Sequence, residues 1–188
     1  MNKNISTSSE IYKPFLVQDQ DTLNQILYKL RIETWLPMGV FKEGELKPED
    51  FVDEHENHAY HWAIKKDNRV IAAARMCVHN SLADIPDANL FKNINKELKI
   101  PIASFNRLVV TPDFQKNGLS KLLDHIRVQK ALELKCKTIV IHVSNNIRIK
   151  PLLEQQFEIL GSFNEKSGHS WLDNITSKFG QTILVKEM

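Results

Sequence analysis

A six-residue segment, Gln115-Lys116-Asn117-Gly118-Leu119-Ser120, has the composition of a phosphate-binding turn. It lies between an extended apolar run, Ser104 to Val110, and a helix-like stretch that starts near Leu119. A strand that turns through a glycine into a helix leaves backbone N–H groups unpaired at the helix start, where the helix dipole is positive. Gly118 lets the main chain approach an anion closely, and Lys116 adds positive charge. The segment therefore predicts a site for phosphate oxygens.

This turn differs from the two familiar nucleotide-binding loops. No Gly-Lys-Ser/Thr follows four residues after a first glycine, and the Gly-x-Gly-x-x-Gly pattern of dinucleotide-binding folds is absent. The phosphate is therefore expected to belong to something other than a nucleoside triphosphate or NAD in their usual folds. The alternative is a structural turn that binds nothing.

The flanking sequence resembles the GNAT acetyltransferase superfamily, whose signature is Gln/Arg-x-x-Gly-x-Gly/Ala between the fourth strand and the third helix. Gln115, Gly118 and Ser120 stand in that frame. The preceding strand and its proline-containing loop read Arg107-Leu108-Val109-Val110-Thr111-Pro112, which is similar to the family's Leu-x-Val strand. The resemblance spans about residues 104–162. It implies acetyl-CoA, or another acyl-CoA, as co-substrate and no metal.

The resemblance also implies how the donor is held. The amides of residues 117–120 would bind its pyrophosphate, and the pantetheine arm would pair like an extra strand with Leu108-Val109-Val110. The amides of Val109 and Val110 would then stabilise a developing oxyanion. The residues predicted to bind the donor are Leu108, Val109, Val110, Gln115, Lys116, Asn117, Gly118, Leu119, Ser120, Asn145 and Phe157.

Transfer in the family is direct, from the thioester to an amine, so the enzyme mainly holds the two reactants together. The helix after the fifth strand often carries a tyrosine acid four residues before a closing glycine. With Gly161 as that glycine, the position is Phe157, which has no proton to donate. The family asparagine stands about eleven residues before the glycine, and Asn145 lies farther away. A thiol with a pKa of about 8.5 leaves with little help.

The base that takes the proton of the amine has several candidates. His142 stands near the end of the fifth strand and has a suitable side chain, with a packed sheet histidine as the alternative. His79 ends another strand and has the same two interpretations. Asn106 occupies the position two residues before Leu108, on the same strand face, but its amide is not a base. Ordered water could also serve.

The acceptor pocket is expected from the loops around residues 31–60 and 160–180. Arg31 and Trp35 lie where the family often builds this pocket and are predicted to contact substrate, with plain packing as the alternative. The segment Asp53–His61 is rich in carboxylates and histidines, but it lacks a His-Glu-x-x-His pattern. We interpret it as a solvated acidic turn without a metal.

The elements that position these residues predict an α/β fold, a central mixed sheet with helices on both faces. The β-α-β unit implies two parallel strands with a right-handed crossover. In the first half of the chain, the predicted elements are an edge strand at 12–17, a helix from Asp21 to before Pro37, and a tight hairpin of the strands 59–65 and 69–78. Helical spacing follows over 84–99, and then come strands at 104–110 and 138–143 on either side of a helix. The last predicted elements are a short helix ending in Leu160-Gly161 and strands around 169–172 and 181–185.

Composition sets the broad class. The chain has 188 residues, 26% charged and 42% hydrophobic, which predicts a single domain over 11–188. Residues 1–10 are rich in Asn, Ser and Thr and lack an apolar block, which predicts a disordered tail. A net charge of +2 with scattered basic residues, and no apolar run of about 20 residues, argue against nucleic acid and membrane partners. Cys77 and Cys136 lie in or beside apolar segments, which favours reduced thiols and a cytoplasmic protein. We expect a monomer or a homodimer.

Three functions fit these observations. The first, which we predict, is transfer of an acetyl group from acetyl-CoA to a primary amine of a small molecule or amino acid. The second is a longer-chain N-acyltransferase that resembles the autoinducer and N-acyl amino acid synthases and uses acyl-CoA or acyl-carrier protein. The third is a non-catalytic acyl-CoA sensor.

Overall fold

The computed structural model describes residues 12–38, 44, 47, 52–86, 88–91, 96–144, 146–163 and 180–188. The tail predicted at 1–10, the strand predicted around 169–172 and Asn145 lie outside the described residues.

A mixed sheet forms the centre of the protein, and seven strands belong to it in the described part of the chain. They run in the spatial order β1-β2-β3-β4-β5-β7-β6, with β4 and β5 parallel and the other neighbours antiparallel. The predicted mixed sheet is therefore confirmed. The strands are β1 (Phe15–Leu16), β2 (Tyr60–Lys66), β3 (Arg69–His79), β4 (Ile102–Val110), β5 (Thr138–Val143), β6 (Glu158–Phe163) and β7 (Gln181–Glu187).

Helices cover both faces of this sheet. The N-terminal helical segment consists of α1 (Gln20–Gln25), a π-helical turn (Ile26–Leu30) and α2 (Arg31–Trp35), which continues into a 3-10 turn. Asp19 caps it, since its carboxylate accepts the Thr22 N–H at 2.7 Å. The opposite face carries α3 (Leu119–Glu133) and α4 (Ile149–Leu153).

Strand alternation divides the core between the two faces. On β4, Ala103 and Phe105 pack with α3 and α4, whereas Ile102 joins a cluster on the other face. Val109, beyond a bulge, packs with the N-terminal helical segment. The polar side chains of the site extend from the face that carries this N-terminal segment.

The β2–β3 hairpin confirms the predicted tight turn. Asp67 and Asn68 both have positive φ, 49° and 63°, as the two central residues of a type I′ turn require. Asp and Asn adopt positive φ more readily than most other residues, because their short polar side chains can hydrogen-bond to the nearby backbone.

One predicted helix ends at the wrong residue, and another is not found in the described residues. The helix expected to end in Leu160-Gly161 ends instead at Leu153, and both residues lie in β6, which pairs with β7 from Glu158↔Val185 to Phe163↔Gln181. This pairing is long-range, so local spacing does not report it. In the described part of 84–99, the structure has only a 3-10 turn, Ala88–Phe91, after another at Leu82–Asp84.

Candidate active site

The two parallel strands separate into a cleft. They pair from Ile102↔Thr138 to Phe105↔Ile141 and no farther in the described ladder, although β4 continues to Val110 and β5 to Val143. The main chain after Phe105 therefore presents an edge that β5 does not cover. This edge includes Leu108, Val109 and Val110, which were predicted to bind the donor.

A bulge in β4 is the local cause of this separation. Asn106 pairs with Arg75 and Val109 with Ala73, so Ala74 stands opposite two residues of β4. Arg107, one of those two, has a left-handed φ of 52°. A bulge bends its strand, and a non-glycine residue in this region costs about 1–2 kcal/mol, which the surrounding contacts must offset.

The start of α3 is open for an anion. Gly118 is the N-cap with φ 75°, and no side chain caps the helix. The first intrahelical bond runs from the Leu122 N–H to the Gly118 carbonyl at 3.1 Å, so the N–H groups of the three residues between them lack an intrahelical acceptor. A Cβ built on Gly118 would meet nothing within 4 Å. This arrangement suits phosphate oxygens.

The loop before α3 is folded by its own amide side chains. Gln115 donates to the carbonyl of Val110 at 3.3 Å, which ties the loop to the end of β4. Asn117 donates to the carbonyls of Phe114 and Gln115 at 3.2 and 3.3 Å. Residues 115–118 are all exposed. The predicted donor residues of β4 and of the 115–120 segment thus meet at one end of the cleft.

Ionic side chains are buried on the face that carries the N-terminal helical segment. Arg75, fully buried on β3, donates to both carboxylate oxygens of Asp53 at 2.6 and 2.9 Å. Arg107 donates to the same carboxylate at 2.9 Å. Burial would raise the pKa of Asp53, but these two guanidinium groups hold it well below its usual range.

Glu56 belongs to the same buried cluster of charges. We call this cluster the ionic network; its members are Arg31, Asp53, Glu56, Arg75 and Arg107. Its Oε1 accepts from Arg31 and from Arg75, both at 2.8 Å, and its Oε2 lies 3.0 Å from Nε2 of His61. Burial would raise the pKa of Glu56, but the hydrogen bond with His61 and the charges of the two arginines lower it to about 2. Burial lowers the pKa of Arg31 to about 10, against the attraction of Glu56. A carboxylate with so low a pKa is a poor general base at neutral pH.

These contacts correct the interpretation of the segment around Asp53. It is not a solvated acidic turn, because Glu56 is buried and both carboxylates are bound by arginines from other elements. Of the predicted substrate residues, Arg31 lies inside the network and Trp35 is half-buried against the apolar cluster of its own segment. Within the described ranges, no group of three His, Cys, Asp or Glu side chains could hold a metal ion.

The two candidate histidines lie near opposite ends of the paired part of β4 and β5. His142 lies on β5 just beyond Ile141, the last residue paired with β4, and is half-buried. His79 pairs with Ile102 at the opposite end, where its Nε2 lies 2.8 Å from Oγ of Ser104. Burial lowers the pKa of His79 to about 4, so this imidazole is neutral at physiological pH. His142 is therefore the histidine of the two that borders the open part of the cleft.

Asn106 is hydrogen-bonded to Arg75 of the ionic network and to Ser104. Its Oδ1 accepts from Nε of Arg75 at 2.5 Å, and its Nδ2 donates to Oγ of Ser104 at 3.2 Å. Both ends of the amide are therefore used to orient Arg75 and Ser104.

The observed end of α4 changes which residue occupies the position of the family's proton donor. Gln156, with φ 67°, occupies the left-handed position that closes this helical segment, where the sequence pattern suggested Gly161. Four residues before it stands Leu152, fully buried and without a proton to donate, and eleven before it stands Asn145. Phe157 is 2% exposed and lies in the main core cluster.

A cavity of about 780 Å³ adjoins the ionic network. Its walls are the segment Val52–His55 and, opposite, residues 83–86, 88 and 89. Asp53 belongs to its wall and binds Arg107 of β4, so the cavity lies beside the bulge that opens the cleft. Sequence reasoning missed it because its two walls are brought together only by the fold.

A helix that starts at a glycine without a side-chain cap, beside two parallel strands that separate, could hold a long ligand with a phosphate group at one end. The chain belongs to the acetyltransferase (GNAT) family, whose model matches residues 24–157. No curated protein sequence matches the chain.

Solved structures share this fold at low sequence identity. An acetyltransferase of Bacillus subtilis in complex with CoA is 14% identical with a TM-score of 0.59, and 94% of this chain and 99% of that chain are covered. FeeM, an N-acyl amino acid synthase from uncultured soil microbes, is 8% identical with a TM-score of 0.63 and coverage of 94% and 90%. The ribosomal-protein-S18-alanine N-acetyltransferase of Escherichia coli is 13% identical with a TM-score of 0.59 and coverage of 93% and 94%.

No helix in the described part of the chain has both the length and the hydropathy of a membrane span.

Proposed function

We propose that this protein transfers an acetyl group directly from acetyl-CoA to a primary amine of a small molecule or amino acid. The observation that carries the proposal is the separation of β4 from β5 after Phe105, next to the open start of α3. This places an uncovered strand edge and a group of N–H donors at the same end of one cleft. A long donor with a diphosphate at one end and a thioester at the other fits such an arrangement.

The donor is positioned by main-chain groups. The N–H groups at the start of α3 bind the diphosphate, and the edge of Leu108–Val110 pairs with the peptide-like arm. The thioester carbonyl then lies near the amides of Val109 and Val110, which stabilise the negative charge on its oxygen during attack. Holding the two reactants together supplies most of the acceleration.

Proton transfer falls to His142 or to water. The carboxylates of Asp53 and Glu56 are held ionised by arginines, and their low pKa values make them weak bases. His142 borders the open part of the cleft and has the side chain suited to accept a proton from the amine. The thiolate of coenzyme A departs without a phenol donor at Leu152 or Phe157.

The test is a mass-spectrometric screen of acyl-CoA donors against pooled primary amines and amino acids. The proposal predicts an acetylated product and free coenzyme A in equal amounts. Tight donor binding without any product would favour the sensor instead.

A second candidate is transfer of a longer acyl chain. The observation that favours it is the size of the cavity beside the bulge, whose 780 Å³ exceeds what an acetyl group needs. Its walls combine the apolar residues Val52, Ile85 and Pro86 with polar ones such as Asp84 and Asn89. FeeM, which shares the fold, is described as an N-acyl amino acid synthase. If kcat/KM rises with chain length in the same screen, this candidate replaces the first.

A further inference from the structure

A second group of buried charges lies where β4 and β5 begin to separate, which we call the fork of the cleft. It is on the face of the sheet that carries α3. Asp124, in the second turn of α3, is fully buried. Its Oδ1 accepts from Arg127 at 2.5 Å and from Arg148 at 3.0 Å, and its Oδ2 lies 2.9 Å from Nη1 of Arg148. One carboxylate therefore binds a guanidinium of its own helix and one from the segment after β5.

Arg127 connects Asp124 to the strands at the point where β4 and β5 separate. Its guanidinium carbon lies 4.4 Å from the ring centroid of Phe105, the last residue of β4 that pairs with β5. Its Nη1 donates to the carbonyl of Arg75 in β3 at 3.1 Å. The side chain thus contacts α3, β4 and β3 at the point where the cleft opens.

Arg148 belongs to the other side of the cleft. It is the N-cap of α4, five residues after the end of β5 at Val143. Because α3 follows β4 and α4 follows β5, the ion pair of Asp124 with Arg148 joins the two segments that extend from the separating strands. Removing one partner leaves a charge without its counterion in a buried site, which is strongly unfavourable.

We propose that Asp124 is a positioning residue that fixes the width of the cleft and thereby the seat of the pantetheine arm. The inference rests on the proposed function, because it assumes a donor that lies between the strands. None of the described hydrogen bonds that fold residues 115–122 involves Arg148. Loss of the Asp124–Arg148 ion pair therefore weakens contacts to the arm of the donor and spares contacts to its diphosphate.

Two ligands separate these contributions. 3′-Phospho-ADP carries the nucleotide and diphosphate of coenzyme A without the arm, and acetyl-CoA carries both. In Asp124→Asn, which keeps the size of the side chain and removes its charge, the calorimetric Kd for acetyl-CoA rises about tenfold or more, while that for 3′-phospho-ADP changes less than about twofold. Arg148→Met, which leaves Asp124 paired with Arg127, gives the same split and serves if Asp124→Asn does not fold.

The matched control is Val185→Ala, which removes apolar volume from the cluster with Ile102 and Val140 on the opposite face and leaves both Kd values unchanged. Equal weakening of both ligands in Asp124→Asn and Arg148→Met overturns the inference, because it shows only a general loss of structure. So does acetyl-CoA binding within about twofold of wild type. A wild-type protein that binds neither ligand contradicts the proposed function itself, and no substitution is needed to see it.

Discussion

Gly118→Asp tests the donor site with a single added carboxylate. Gly118 has φ 75°, and a Cβ there meets nothing within 4 Å, so the cost to folding is the left-handed backbone of a non-glycine residue, about 1–2 kcal/mol. In a chain of this size, this lowers Tm by about 2–8 °C. The variant is therefore expected to remain folded at room temperature.

The effect on donor binding is larger. A carboxylate about 5 Å from one phosphate charge repels it by about 3 kcal/mol at an effective dielectric constant of about 20. Exposure of residues 115–118 and salt reduce this to about 2 kcal/mol. The Kd for acetyl-CoA should therefore rise about 30-fold or more in a calorimetric titration.

Gly118→Asn is the matched control, because Asn has the size of Asp, a similar backbone cost in the left-handed region and at the N-cap, and no charge. Its Tm should fall as in Gly118→Asp, while its Kd stays within about threefold of wild type. If the two variants bind acetyl-CoA equally well, the diphosphate does not lie at the start of α3 and the reasoning fails.

Three further predictions concern single side chains. His142→Ala should lower kcat by about 100-fold or more with the Kd for acetyl-CoA unchanged, measured by stopped and continuous assays of thiol release; an unchanged kcat would assign proton transfer to water. Phe157→Tyr should lower the free energy of unfolding by about 1–3 kcal/mol in urea without raising kcat, because it buries a hydroxyl in the main core; a faster enzyme would show that the ring reaches the thioester. The pKa of His79 is lowered to about 4, so the unfolded chain takes up the proton first and the free energy of unfolding should fall as pH drops from about 6.5 to 4; His79→Gln should flatten this part of the pH profile, and an identical profile would contradict the assignment.

The strand, turn and helix that carry the expected donor site could be predicted because they are local in sequence. They occupy consecutive residues from Ile102 to Glu133, and the side-chain hydrogen bonds that fold the turn, from Gln115 and Asn117, are made within that stretch. The ionic network beside the cavity, in contrast, is formed by residues that are far apart in sequence. Asp53 is bound by Arg75 and Arg107, which lie 22 and 54 residues away, so no pattern around Asp53 indicated that its charge would be buried.

The error at the end of α4 has a related cause. Gly161 looked like a helix-closing residue, because glycine is the usual choice in the left-handed position. Here Gln156 adopts that conformation, and Gly161 instead lies at the irregular register between β6 and β7. The asparagine spacing of the family, which failed against Gly161, is met by Asn145 when counted from Gln156.

The central claim is that main-chain N–H groups at the start of α3 hold the diphosphate of the donor. A crystal structure of the protein grown with CoA tests it most directly. The account predicts diphosphate oxygens about 3 Å from the amide nitrogens of Leu119 and Ser120, with the arm beside Leu108–Val110. Coenzyme bound elsewhere, with this helix start left to solvent, would contradict it.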